Sequence, residues 1–358
     1  MTEESRPDDL AAESLLQDLV AIPGVTGKEG PAVRNLVDWM AANGYDGAYV
    51  DDIGNAVGIL GSGDRDLLLL GHIDTFPGEL PVRRQGRLLY GRGTVDARGP
   101  LCAFAVAGTR ATLPRGLRLV LVGAVEEEGS SCGARHLLGR YQPWACVIGE
   151  PSRADRITLG YKGRLLAERK WRGPLAHSAG QGQSPAENAV AWWLELLKWV
   201  ERHNEGVSGL FDRLDVTLQA IETGQDGAWG ETSLTAGFRL PLRISPQELE
   251  AELPGAGESA SLIAWGHEHA WLSPRDNLLS RAFRRAIRQH GARPRFVTKT
   301  GTSDMNLVAP VWNCPIVAYG PGDSALDHTP DEHIDLDEYL LAIDVLVTMI
   351  ESIAPPGN

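Results

Sequence analysis

Four cysteines in 358 residues, Cys102, Cys132, Cys146 and Cys314, are widely spaced and include no C-x-x-C pair. This excludes a thiolate zinc knot and a disulfide framework and leaves buried free thiols. No apolar run approaches the length of a membrane span, and the opening "MTEESRPDDL" lacks the basic and apolar regions of a signal peptide, so the sequence predicts a cytoplasmic protein. Basic residues are in the minority, 34 Lys and Arg against 47 Asp and Glu, for a formal charge of −13. That balance argues against a protein that works mainly by binding nucleic acid or an anionic membrane, while leaving room for a local basic patch. Internal repeats and low-complexity tracts are also missing.

What is present suits a globular chain of two domains: 43% hydrophobic and 23% charged residues over a length too great for one average domain. Helical periodicity from about Ala11 to Val20, and again through Val33, Leu36, Val37 and Met40, precedes the strand-like runs "NAVGIL" and "DLLLLGHID". A small-residue helix, "LCAFAVAGTRATL", and the strand "LRLVLVGAV" follow. Strands alternating with helices predict an α/β domain with a mixed, largely parallel sheet. After "ACVIGEPS" the order becomes β-α-β-β-α-β, the ferredoxin-like split motif of an inserted α+β domain. The chain then returns to the first domain through a helix, "LLSRAFRRAIRQHG", a loop, "KTGTSDMNLV", a strand, "PIVAYG", and a terminal helix. The expected division is residues 1–162 with 274–358 against an insert of 163–273.

The chemistry gathers where strands end. The run "LLLLGHIDTFPG" leaves the core on His72 and Asp74, where α/β proteins place functional groups. A histidine there presents one ring nitrogen to a metal while a carboxylate holds the other, although such a pair alone is also an ordinary polar contact. Other strand ends and tight loops add Asp96 in "GRGTVDARG", Glu126, Glu127 and Glu128 in "VGAVEEEGSS", Glu150 in "VIGEPS" and His328 in "LDHTPDEH". Carboxylates crowded at one sheet edge repel one another unless a cation or a catalytic task uses them. Two histidines with several carboxylates suit zinc or a related divalent ion, and about five such ligands favour two ions bridged by one carboxylate. One further carboxylate would then serve as general base. The glycines of "YGRGTVDARGPL" match no Walker pattern, so nucleotide binding is discounted. His267 and His269 in "HEH" lie in a strand of the insert and read as structural or surface residues.

Taken in order, "GHIDTFP", "GRGTVDARG", "EEEG", "IGEPS", "AHSAGQGQSPAENA" and "DHTPDEHI" resemble the M20 family of dinuclear zinc amidohydrolases. The resemblance implies a zinc-peptidase-like catalytic domain with an inserted dimerisation domain, two Zn2+ ions with Co2+ as the alternative, and a homodimer formed through the insert. It places His72, Asp96, Glu128, Glu150 and His328 as metal ligands, Asp96 being the bridge, and Asp74 as the group that orients His72. Spacing to "GAR" implies Glu127 as general base, although the glutamate run alone does not say which of its members takes which role. His177 in "PLAHSA" matches the family histidine that stabilises a tetrahedral oxyanion in the neighbouring subunit. Arg239 matches an arginine that binds a substrate carboxylate in some members, and Lys299, Thr302 and Ser303 in "KTGTSDMN" join it as implied substrate contacts. Departures are Gly237 where the family has Asp, Arg98 where it often has lysine, and a missing asparagine near Thr232 to Ala236.

Within the family, the compact length and the strings "LGYKGR" and "KTGTSDMN" look most like the branch that releases lysine or ornithine from an amino-group carrier protein. The implied bond joins the γ-carboxyl of a carrier's C-terminal glutamate to the amino acid's α-amine. The alternatives are a deacylase of small N-acyl amino acids and a dipeptidase. A small acidic carrier meeting an acidic enzyme requires a locally basic mouth, for which Arg83, Arg84, Arg87, Lys162 and Arg164 are the expected residues.

Overall fold

The structure, a computed structural model, describes residues 6–175, 182–254 and 260–353. The chain divides into two compact units, one holding residues up to 160 with 273–297 and 303 onward, the other 161–272 with 298–302.

The first unit opens with α1 (Asp9–Ala21), whose N-cap Asp8 accepts a hydrogen bond from the Ala11 amide at 2.8 Å, and α2 (Gly30–Ala42). Strands β1 (Gly47–Val50), β2 (Ala56–Leu60) and β3 (Arg65–His72) follow, then the short pair β4 (Arg83–Gln85) and β5 (Leu88–Tyr90). Next come α3 (Arg98–Arg110), β6 (Leu117–Ala124), α4 (Cys132–Leu137), β7 (Ala145–Gly149) and β8 (Arg156–Tyr161). After the second unit the chain returns with α7 (Leu278–Gln289), β14 (Arg295–Lys299), α8 (Asp304–Trp312), β15 (Ile316–Ala318), β16 (His333–Asp335) and α9 (Leu336–Ser352).

The central sheet runs β1-β2-β6-β3-β7-β15-β8, parallel across β6, β3, β7 and β15 and antiparallel towards its edges. All five residues of β7 and the last six of β3 are buried, as expected for parallel strands covered by helices on both faces. Register sets the site: His72 pairs with Ala124, and Gly71 with both Gly123 and Gly149. The three strands therefore end level, and the loops after them leave the sheet at one place. The same register lines up three glycines beneath α3. A Cβ on Gly149 would stand 2.9 Å from Phe104, and one on Gly71 or Gly123 would stand 3.3 or 3.2 Å from Leu101. Helix α3 thus rests on bare backbone.

The second unit contains β9 (Gly163–Pro174), α5 (Pro185–His203), β10 (Asp215–Asp226), β11 (Trp229–Leu240), α6 (Pro246–Glu252), β12 (Ala260–Glu268) and β13 (Trp271–Leu272). Its antiparallel sheet runs β10-β11-β9-β12, the strand order of the split β-α-β motif. Both helices start on the same local device, a serine and a glutamate three residues later with proline between them, Ser184 with Glu187 and Ser245 with Glu248. The tryptophan-rich stripe of α5 packs as a core face: Trp192, Leu196 and Trp199 are buried with Leu165, Leu234 and Phe238. Among the described residues no helix is long and apolar enough to cross a membrane.

Two details differ from the sequence expectation. The loop "KTGTSDMNLV" becomes helical from Asp304, because Ser303 and Asn306 cap each other across the first turn. The single strand expected over "ASLIAWGHEHAWLS" stops at Glu268 and resumes only as β13.

Candidate metal centre

Every carboxylate and histidine singled out at the strand ends lies in the first unit, and the structure brings His72, Asp96, Glu128, Glu150 and His328 together, whereas the Glu126 carboxylate accepts from Ser130 instead. Ligand atoms of His72, Asp96 and Glu150 lie within 4.8 Å of one another, as do those of Asp96, Glu128 and His328. Asp96 belongs to both groups. Its Oδ1 is 3.1 Å from His72 Nε2 and its Oδ2 is 2.9 Å from His328 Nε2, which is also 2.8 Å from Glu128 Oε1.

Asp74 holds this arrangement from behind. Fully buried, it lies 3.3 Å from His72 Nδ1 and accepts hydrogen bonds from the Thr26 hydroxyl at 2.9 Å and from the Glu127 and Glu128 amides, both at 3.1 Å. One carboxylate therefore fixes the ring of His72 and the turn that carries both glutamates, the outer support that metal-ligating histidines need. Glu126 and His328 have φ of 60°, unusual for non-glycine residues and a strain that persists where surroundings over-determine it. Phe76 stacks on the His328 ring with centroids 4.0 Å apart.

Electrostatics follow from crowding. Burial raises the Asp96 carboxyl's pKa, but bonds to His328 and His72 more than offset that and carry it below the usual carboxylate range. Burial pushes Glu127 and Glu150 well above theirs; His72 opposes this, and neighbouring carboxylates reinforce it. His328 is raised to about 10 by its bonds to Asp96 and Glu128. Anions that can stay ionised together only with added positive charge are a donor set suited to cations. The mix of imidazole and carboxylate fits zinc and its neighbours in the first transition row.

Two residues escaped the sequence reading. Glu332, buried, accepts at Oε1 from the amides of Gly93, Val95 and Asp96 at 2.9, 3.0 and 3.2 Å, and at Oε2 from Arg92 at 2.8 Å. It thereby ties down the loop that carries Asp96. Asp304, at the first turn of α8, is buried with its Oδ1 unpartnered and is pushed up to about 7, chiefly by burial. The glutamate lay within a quoted motif, but its bonds to distant amides have no sequence signature. Arg98, where lysine is common, is also buried and donates to the carbonyls of Ile73, Leu19 and Ile22, so its fork grips the backbone between His72 and Asp74.

The remaining expectations fare unevenly. His177 lies outside the described residues. Arg239 donates to the Thr302 hydroxyl at 2.9 Å within the second unit, where the Lys299 carbonyl also accepts from the Lys162 amide. The Ser303 hydroxyl accepts from the Met305 amide as the cap of α8. Of the five residues expected at a basic mouth, Arg83 is exposed over the Tyr90 ring and the other four have carboxylate partners within the protein. Arg84 and Arg87 pair with Glu13 at 2.9 and 2.6 Å, Arg87 also pairs with Asp337, and Arg164 pairs with Glu268. Lys162 is fully buried against Asp215 and the Arg213 carbonyl. His267 bonds Glu250 at 2.7 Å, in keeping with its structural reading.

Residues 68–352 match the model of peptidase family M20/M25/M40. The chain is 46% identical over 354 residues to a "[LysW]-lysine hydrolase" of Deinococcus radiodurans, covering 96% of this chain and 97% of that one. It is 42% identical to a "Putative [LysW]-lysine/[LysW]-ornithine hydrolase" of Thermococcus kodakarensis, covering 94% and 91%. Its fold is similar to that of an M20 family metallo-carboxypeptidase from Sulfolobus solfataricus, with a TM-score of 0.79 at 17% identity over 96% of this chain and 99% of that one.

Proposed function

The chain belongs to peptidase family M20/M25/M40, and from that premise we propose that it is a metal-dependent amide hydrolase that frees lysine or ornithine from the γ-carboxyl of a carrier protein's C-terminal glutamate. The observation that carries the chemistry is the sharing of Asp96 between two three-residue ligand groups, with Glu127 beside them. The relatives' names supply the substrate class.

In this reading His72, Asp96 and Glu150 would hold one divalent ion and Asp96, Glu128 and His328 a second, with Zn2+ favoured by the donor set and Co2+ as the alternative. When bound, the ions would supply polarisation of the amide carbonyl and a lowered pKa for a water. The Glu127 carboxylate accepts the proton of the attacking water and passes it to the nitrogen of the departing α-amine as the C–N bond breaks. Carrier carboxylate and free amino acid are the products. Asp74 keeps His72 in one tautomer and orientation throughout. His177 stabilises the oxyanion across a subunit interface in this proposal.

That interface is proposed to be the insert. Strand β10 is the free edge of its sheet, and every residue from Thr217 to Asp226 is exposed, Leu218 and Ile221 among them. Helix α5 adds exposed Val190, Leu194 and Leu197 on one face. An uncovered apolar edge strand is a liability that a second copy removes.

The deciding experiment measures amino-acid release by zinc-loaded protein from a carrier ending in γ-glutamyl-lysine and from N-acetyl-ornithine, with Glu127→Gln as control. Release from the carrier supports the proposal. Release from the small amide alone replaces it with a general deacylase.

A further inference from the structure

Seven arginines and one aspartate occupy the short segment from Arg275 to Arg295, in a chain whose formal charge is −13. We propose that this face, formed by α7 and the turn into β14, is the docking surface for an acidic protein, namely the carrier whose end enters the metal centre; the inference rests on the function proposed above.

Helix α7 buries Leu279, Ala282, Phe283, Ala286 and Ile287 and turns Arg281, Arg284, Arg285 and Arg288 the other way. Those four stand three and four positions apart, so each repels its neighbours and weakens the helix. Few internal carboxylates relieve the repulsion. Arg281 pairs with Asp276 at 2.8 Å and Arg295 lies 4.0 Å from Asp155, whereas among the described residues Arg284, Arg285, Arg288 and Arg293 have no carboxylate within 4.0 Å. Several other arginines of this unit are used internally, as with Arg87, Arg92 and Arg118, and those that are not, such as Arg34 and Arg115, stand singly along the chain. Clustered cations left uncompensated on an acidic protein fit a partner that brings the anions.

The surface is shaped as well as charged. A groove of about 680 Å³ runs between Arg275, Arg284, Arg288, Arg293 and Phe296, open to solvent. Arg275 and Arg284 lie over the Phe296 ring at 5.7 and 5.9 Å, which leaves their guanidinium edges free to bind carboxylates in pairs. The face is also joined to the metal centre. Phe283, on the buried side of α7, stacks on Tyr319 with centroids 4.5 Å apart. Tyr319 follows β15 and precedes Gly320, where a Cβ would stand 2.9 Å from the Glu150 carbonyl. Through Phe283, α7 thus packs on the segment Tyr319–Gly320 that borders the Glu150 backbone.

The test compares wild type with the triple variant Arg285→Glu, Arg288→Glu, Arg293→Glu, all exposed positions, and with a charge-matched control at exposed Arg34, Arg115 and Arg202. Substrates are the carrier ending in γ-glutamyl-lysine and the isolated γ-glutamyl-lysine dipeptide, with circular dichroism melting as the check of folding. The expected result is a fall of about tenfold or more in kcat/KM for the carrier, through KM, with kcat, melting and dipeptide hydrolysis unchanged and the control like wild type. Added salt should raise the wild-type KM and leave the variant's nearly flat. Carrier turnover by the triple variant within about twofold of wild type overturns the docking surface and leaves the proposed function standing. A wild-type enzyme that cleaves the dipeptide and ignores the carrier overturns both. Binding of a fluorescent single-stranded oligonucleotide that the variant loses, without change in carrier turnover, overturns it in favour of nucleic acid.

Discussion

The metal centre and the arginine face are like-charge clusters of opposite sign in one compact unit, and they differ in burial. At the strand ends, Asp74, Asp96, Glu127 and Glu150 sit where water scarcely screens them, so bonds to histidine hold Asp74 and Asp96 below the usual carboxylate range while burial pushes Glu127 and Glu150 above it. Arginines on α7 repel one another in solvent, Arg281, Arg285 and Arg288 standing exposed. The buried cluster needs a compensating ligand that stays, the exposed one a partner that comes and goes. Buried charge sets chemistry; exposed charge sets encounter.

Breaking the buried side should give the largest effect. Glu127→Gln keeps the ligands and removes the base, so amide hydrolysis should fall by about 10²–10⁴-fold while metal content, read by elemental analysis, stays at wild-type level. Chelation should abolish hydrolysis and lower thermal stability by roughly 3 kcal/mol per ion held at 100 times its Kd, with both restored by Zn2+. Glu332→Gln leaves every proposed ligand in place but loosens the Asp96 loop, and metal affinity measured by competition should drop by about 10–100-fold. On the exposed side the sign reverses. Arg288→Ala removes repulsion with Arg284 and Arg285 and should stabilise the enzyme by ~0.3 kcal/mol in urea unfolding, or leave it unchanged. A loss above ~1 kcal/mol there would show that the arginine does internal structural duty and would end the comparison.

Much of this was legible in the sequence. Alternating apolar runs expose the parallel sheet, and strand-end placement is enough to collect His72, Asp96, Glu128, Glu150 and His328. Bonds that join distant segments were not legible. Glu332 reaches amides about 240 positions away, and Glu13 on α1 takes up Arg84 and Arg87; neither leaves a periodic or local trace. Lys162 misled for the same reason, since its burial follows from Asp215 and the Arg213 carbonyl. Helix α8 did carry a local signal, the serine and asparagine three apart at Ser303 and Asn306, which is a weaker variant of the serine–glutamate box that opens α5 and α6. The arginines of α7 were visible as composition, but only their outward placement, with Arg281 alone holding a carboxylate among the described residues, makes them a surface.

The three level glycines under α3 act as a mechanical datum. Side chains hop between rotamers and transmit that play to whatever rests on them; backbone does not. Because Leu101 and Phe104 seat directly on Gly71, Gly123 and Gly149, the sheet side of that contact has no side chain that can shift. Asp96 stands two residues before that helix begins, and His72 and Glu150 each follow one of the glycines. A single methyl at any of the three would act as a shim, lifting one jaw of the ligand set relative to the other without touching a ligand.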